Sequence, residues 1–176
     1  VLQIAHGVAE HIYRYAPFME FLAENGFVVV ANDHLGHGKT AENEQELCFF
    51  AEKDGWNDVV SDMDTLHKLT AAKYPGVPYF LFGHSMGSFL TRTYIIDHPE
   101  GLKGVVISGT GQNPGAVIAA GKLMAKLEMI DNGPMYHSPT LDKLAFGSYN
   151  KKYDHVRTKL DWLTRDEAVV DAYIAD

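Results

Sequence analysis

Cysteine is all but missing. Cys48 stands alone, so neither an internal disulfide nor a cysteine-based zinc site can form, and nothing points to an oxidising compartment. A cytoplasmic setting is the expectation. Positive charge is also scarce: 15 Lys and Arg face 23 Asp and Glu, and a formal charge of -8 repels a phosphate backbone and supplies no basic cluster for anionic lipid. Nucleic acid is therefore excluded as a partner. No apolar run approaches the ~20 residues a membrane-spanning helix needs, which leaves no transmembrane segment. The opening stretch Val1-Leu2-Gln3-Ile4-Ala5 lacks a starting Met, a charged leader and a cleavage site. It reads as a strand inside a domain and not as a signal peptide. What is present, 46% hydrophobic and 22% charged residues over 176 positions, is the make-up of a globular domain able to bury a core.

Over the first hundred residues, short apolar runs alternate with amphipathic stretches, the pattern of strands joined by crossover helices in a mostly parallel α/β sheet. Residues 1–5 form the first strand. A helix from about Tyr15 to Glu24 follows, with Phe18, Phe21 and Leu22 at core-face spacing, and Asn25-Gly26 stops it. The apolar run Phe27 to Ala31 reads as a strand buried on both faces. From Trp56 to Lys73, the residues Trp56, Val59, Val60, Met63, Leu66 and Leu69 trace one helical stripe. Tyr79 to Phe82 is the third strand, Gly87 to Asp97 a helix, and Leu102 to Ser108 the fourth strand. Beyond Gly109-Thr110-Gly111 the rhythm changes to helix without strand, which divides the chain into a core over residues 1–111 and a helical segment over 112–176. In that segment Ala120, Leu123, Met124, Leu127 and Ile130 line one helical face, while Val117 and Ile118 leave apolar surface outside it. A helix packed on both sides and a lipid-facing lid helix both fit that pattern.

The chemistry concentrates in Gly83-His84-Ser85-Met86-Gly87, a G-x-S-x-G that directly follows a strand and directly precedes a helix. A serine hydroxyl becomes a useful nucleophile when a sharp turn exposes it near a base and an oxyanion site. Gly83 and Gly87 remove side chains that would collide around Ser85, and the helix start beneath it adds a positive dipole end. His6-Gly7-Val8, at the end of the first strand, occupies the place of an oxyanion donor loop. The two donors would be the N–H groups of Val8 and Met86, with Gly7 allowing close approach of backbone to substrate. Asp33, His34 and His37 include metal-ligand residue types, but Gly36 and Gly38 mark that loop as a structural turn, and no metal is expected. Cys48, beside Phe49 and Phe50, reads as a buried small residue.

Three motifs in order, His6-Gly7-Val8-Ala9-Glu10-His11-Ile12-Tyr13-Arg14-Tyr15, Asp33-His34-Leu35-Gly36-His37-Gly38 and Gly83-His84-Ser85-Met86-Gly87, resemble the monoacylglycerol lipase and lysophospholipase branch of the serine α/β-hydrolases. The resemblance implies the α/β-hydrolase fold, with these four strands as the middle of the sheet in spatial order second, first, third, fourth, and with residues 112–176 as a cap. It implies Ser85 as nucleophile, Val8 and Met86 as oxyanion hole, and Gly7, Glu10, Arg14 and His84 around the substrate, with Glu10 and Arg14 near the alcohol end of a monoglyceride. Read without it, Glu10 and Arg14 are a surface ion pair. The resemblance further implies flanking strands before Val1 and after the cap, the latter carrying the triad acid and His; His137 and His155 lie in the cap-like region, not after a strand. No cofactor is implied. The expected substrate is a lipid ester, with transient contact between the cap and a lipid surface. Open sheet edges would invite a homo-oligomer. The alternative is a catalytically silent chain that binds lipid-like ligands or needs a partner chain to complete the triad.

Overall fold

The computed structural model describes all 176 residues, which fall into two compact units, Val1–Asn113 and Pro114–Asp176. In the first unit, the strands β1 (Leu2–Ala5), β2 (Val29–Ala31), β3 (Tyr79–His84) and β4 (Leu102–Ser108) form one sheet in the order β2-β1-β3-β4. Every pairing is parallel, with Leu2 opposite both Val29 and Phe80, and Phe82 opposite Val106. Parallel neighbours require crossovers, and these are supplied by helices α1 (Ala16–Glu24), α2 (Gly55–Lys73) and α3 (Met86–Asp97). No helix of the chain is long and apolar enough to cross a membrane.

The core lies where α2 and α3 meet the central strands. Val59, Val60 and Met63 of α2, Leu90 and Tyr94 of α3, Ala5 of β1 and Leu81 of β3 form one buried cluster. Gln3 and Tyr79 pair their polar groups inside it, as burial demands. Gln3 donates from Nε2 to the Met63 carbonyl at 3.0 Å and accepts the Tyr79 hydroxyl at 2.7 Å. The lower half of α2 departs from its apolar stripe: Leu69 is 66% exposed, while His67 and Thr70 turn inward. His67 stacks on the Tyr79 ring at 4.1 Å and shares a 2.7 Å hydrogen bond with the Tyr94 hydroxyl, so this part of the interior selects a polar ring over an aliphatic chain.

Two further expectations are corrected by position in the sheet. The run Phe27 to Ala31 is not buried on both faces; only Val29–Ala31 pairs, its residues are half-buried, and Phe27 is exposed. β2 is an edge strand, and an edge leaves one flank uncovered. Helix α1 over that edge buries none of its residues, and Phe21 is 59% exposed. Phe18 packs against the Phe82 ring, centroids 5.7 Å apart.

The second unit contains α4 (Gly115–Asn132), α5 (Pro139–Phe146) and α6 (Glu167–Ala175), and no strand. Ser138 caps α5 by accepting the Leu141 N–H at 3.0 Å, with Pro139 in the first turn; Asp166 caps α6 by accepting the Ala168 N–H at 3.0 Å. Phe146 stacks on Trp162, and Tyr149 meets the same indole edge-on at 4.8 Å. The face expected to pack on α4 is open instead: Leu123, Leu127 and Ile130 are exposed, Ile130 at 79%, as are Val117 and Ile118. The chain does not pack α4 on both sides.

Candidate active site

Ser85 is the joint between the end of β3 at His84 and the start of α3 at Met86. Its φ of 51° and ψ of -118° form a conformation that an L residue holds only where its surroundings impose it. They do so here. The Ser85 N–H donates to the Ser108 carbonyl at the end of β4 at 2.9 Å, and its carbonyl accepts the Ser88 N–H at 2.9 Å and the Ser88 hydroxyl at 2.6 Å. The two motif glycines are needed for close approach. A Cβ on Gly87 would run into the Ala5 carbonyl and come within 2.6 Å of the His6 carbonyl oxygen, while one on Gly83 would strike Thr91 Oγ1 and the Gly87 carbonyl. With Met86 as its first residue, α3 leaves the Met86 N–H without an acceptor in its own helix.

The end of β1 arrives beside this turn. A Cβ on Gly7 would lie 3.2 Å from the Ser85 Cβ, which puts His6-Gly7-Val8 beside the serine turn. Val8 is half-buried and Ala9 adopts a positive φ of 54°. His6 is fully buried: its Nδ1–H donates to the Gly7 carbonyl at 2.7 Å and its Nε2 accepts the His34 N–H at 2.9 Å. Both bonds together require the neutral ring, and burial holds its pKa below the ordinary histidine value. His34 sits with its ring 4.2 Å from that of His6, and burial followed by the neighbouring His6 and His37 depresses it to about 2. His37, lowered by burial as well, donates from Nδ1 to the Leu35 carbonyl at 2.9 Å.

The remaining site residues separate by their partners. Glu10 accepts the Gly7 N–H at 2.5 Å and the Tyr15 hydroxyl at 2.6 Å on Oε1, while Oε2 lies 3.4 Å from Arg14 Nε. Burial and the Glu10 hydrogen bond raise the Tyr15 pKa. His84 contacts the Ser108 hydroxyl through Nδ1 at 3.2 Å. Asp33 holds the loop below by accepting the Ile12 N–H at 2.9 Å and the Lys39 N–H at 3.0 Å. Cys48, expected buried, is exposed with a φ of 62°, because its N–H must reach the Gly36 carbonyl at 2.7 Å to close that loop. Two features went unread in the sequence: the buried pairing of His6 with Gly7 and His34, and the carboxylate on the Gly7 N–H. A carboxylate three residues after a glycine at a strand end was the signal for the second.

No histidine of the first unit is bonded to the Ser85 hydroxyl. His6, His37, His67 and His84 have the partners given above, His98 faces Asp64 at 3.7 Å, His11 packs on Tyr13, and His34 is closed in against His6.

Compared with known proteins, residues 1–176 match the hydrolase family described as serine aminopeptidase, S33. The chain belongs to this family. Relatives include the monoglyceride lipase homolog of monkeypox virus, 31% identical over 87% of this chain and 52% of its own length, and the monoacylglycerol lipase of Mycolicibacterium smegmatis, 29% identical over 100% of this chain and 55% of its own. Among solved structures, a thermostable carboxyl esterase from Bacillus coagulans in complex with glycerol superposes with a TM-score of 0.87 at 31% identity, over 99% of this chain and 56% of that one. The chain spans about half the length of these relatives. The sheet order and parallel pairing are those of the α/β-hydrolase fold.

Proposed function

We propose that this chain carries the nucleophile and oxyanion side of a serine ester hydrolase acting on monoacylglycerol or lysophospholipid-like lipids. The observation that carries the reading is Ser85 at a positive φ between β3 and α3, with Gly7 against it. In the reaction, the Ser85 hydroxyl attacks the ester carbonyl as its proton passes to a histidine. The tetrahedral oxyanion rests on the Val8 and Met86 N–H groups, the alcohol leaves with the proton, and water then cleaves the acyl-enzyme. Gly7, Glu10, Arg14 and His84 lie around the substrate, with Glu10 and Arg14 near its alcohol end, and the cap is residues 112–176, whose exposed apolar side chains suit contact with lipid. The names of the lipase and esterase relatives support an ester over a peptide.

A second reading is favoured by the partners of the histidines: the base comes from outside these residues, through further chain or a partner paired on the outer edge of β2 or β4. Fluorophosphonate labelling of the 176-residue chain, read by intact mass, tests both. Labelling abolished by Ser85→Ala supports an activated serine. An unlabelled chain that elutes as a monomer overturns the first reading for this chain and removes the paired-partner version of the second.

A further inference from the structure

We propose that a two-point clamp on Gly7 aims the Val8 N–H, with His6 and Glu10 acting as positioning residues for the oxyanion donor. The inference deepens the ester-hydrolase reading and rests on it. Both polar groups of Gly7 are engaged. Its carbonyl accepts the His6 Nδ1–H at 2.7 Å, and its N–H donates to Glu10 Oε1 at 2.5 Å. The amide left to serve an oxyanion at the end of β1 is therefore that of the next residue.

Its direction follows from peptide geometry. The Gly7–Val8 peptide is trans, which places its C=O and N–H on opposite sides. With the carbonyl drawn toward the buried His6 ring, the Val8 N–H is turned away from that ring. The ring has no freedom to release it: Nε2 accepts the His34 N–H at 2.9 Å, so the other tautomer or a second proton would set donor against donor, and a ring flip would replace both nitrogens by C–H groups. On the other side, Glu10 is bound by the Tyr15 hydroxyl at 2.6 Å and faces Arg14 Nε at 3.4 Å, so it cannot swing away from Gly7 without abandoning both. A Cβ at position 7 would lie 2.7 Å from Glu10 Oε1 and 3.2 Å from the Ser85 Cβ, so a side chain there would push the carboxylate out of the clamp. Glu10 thus acts through Gly7, and its contribution is to the geometry of the donor.

The test has two arms on the 176-residue chain. In the first, N–H residual dipolar couplings and deuterium exchange are measured for Gly7 and Val8 in the 15N-labelled protein. The clamp predicts a protected Gly7 amide and a Val8 coupling that fits the frame of β1. Glu10→Gln should speed Gly7 exchange about tenfold and shrink the Val8 coupling, with Leu81 and Leu90 couplings unchanged as the check on folding. Tyr15→Phe, which leaves the carboxylate in place, should do the same in smaller measure, and serves if Glu10→Gln fails to fold. An unprotected Gly7 amide in the unmodified chain, or a Val8 coupling indifferent to these changes, overturns the clamp. In the second arm, the saturating rate of Ser85 phosphonylation should fall roughly 100-fold in Glu10→Gln at an unchanged half-saturating probe concentration. A shift in half-saturation at constant maximal rate would instead mean that Glu10 acts through substrate binding alone and would overturn the assignment. Because the couplings are read without turnover, an unreactive Ser85 counts against the hydrolase reading while the first arm still decides the clamp.

Discussion

The two units of this chain use similar apolar content in opposite ways. In Val1–Asn113, parallel strands covered by α2 and α3 bury Ile4, Met63, Leu81 and Leu90 almost completely; in Pro114–Asp176, Val170 is the only hydrophobic residue buried to that degree. Amphipathic periodicity makes a helix in both. It makes a core only where a second layer, here the sheet, offers a surface without unpaired backbone groups for the apolar stripe to cover. The helical unit relies instead on caps at Ser138 and Asp166, on the Phe146–Trp162–Tyr149 ring cluster, and on the Arg157–Asp171 ion pair at 2.7 Å.

The contrast breaks most sharply at Gly87. Gly87→Ala should destabilise the first unit by about 4 kcal/mol, above the ordinary overpacking range, because the atoms in the way are the backbone carbonyls of Ala5 and His6. Urea denaturation followed by tryptophan fluorescence would expose a smaller effect, and a near-wild-type midpoint would mean that α3 can slide off β1. Next in size is a matched pair of truncations. Met63→Ala should cost about 3 kcal/mol, while Ile130→Ala, on the open face of α4, should stay within about 0.5 kcal/mol. Equal losses in calorimetry would remove the distinction between the units.

Acid sharpens the same comparison. His6, His34 and His37 all have folded-state pKa values below that of an unfolded histidine, so the unfolded chain binds more protons and stability falls as pH drops below about 6.5. Between pH 7 and pH 5, His34 alone should account for about 2 kcal/mol, since it stays neutral in the fold across that window. The histidines of the second unit, His137 and His155, are exposed. Hydrogen exchange on acidification should therefore open β1 and the loop at His34 before α6; simultaneous opening of the two units would contradict this. The smallest effect belongs to the caps. Asp166→Ala should cost about 1 kcal/mol, seen as earlier fraying of Ala168 and Val169 with no change in β3.

Much of this architecture is legible in the sequence, for reasons that differ by element. β3 was legible because a central parallel strand is a continuous apolar run, β4 because Val105-Val106-Ile107 is β-branched and apolar even though it stands at the sheet edge, and the turn at Ser85 because Gly83 and Gly87 bracket a serine between strand and helix patterns. The order of the strands came with the family resemblance, not from the residues. Burial was harder: Phe18, Phe21 and Phe27 carry the right pattern, yet they lie at the β2 edge, and a periodicity cannot tell how many layers will cover it. The Glu10 carboxylate was noticed for its charge and its Arg14 neighbour. Its bond to the Gly7 N–H depends on how the chain turns at Ala9, whose positive φ no residue preference announces.

The central place of β1 has a consequence in time. Leu2 is bracketed by Val29 on one side and Phe80 on the other. A ribosome adding roughly 5 to 20 residues per second needs about 4 to 16 seconds to make the stretch between Leu2 and Phe80. Throughout that interval an apolar strand waits for its second neighbour with one edge free to pair with other nascent chains, so the most deeply placed strand of the finished sheet is also the one most in need of a chaperone while the chain is being made.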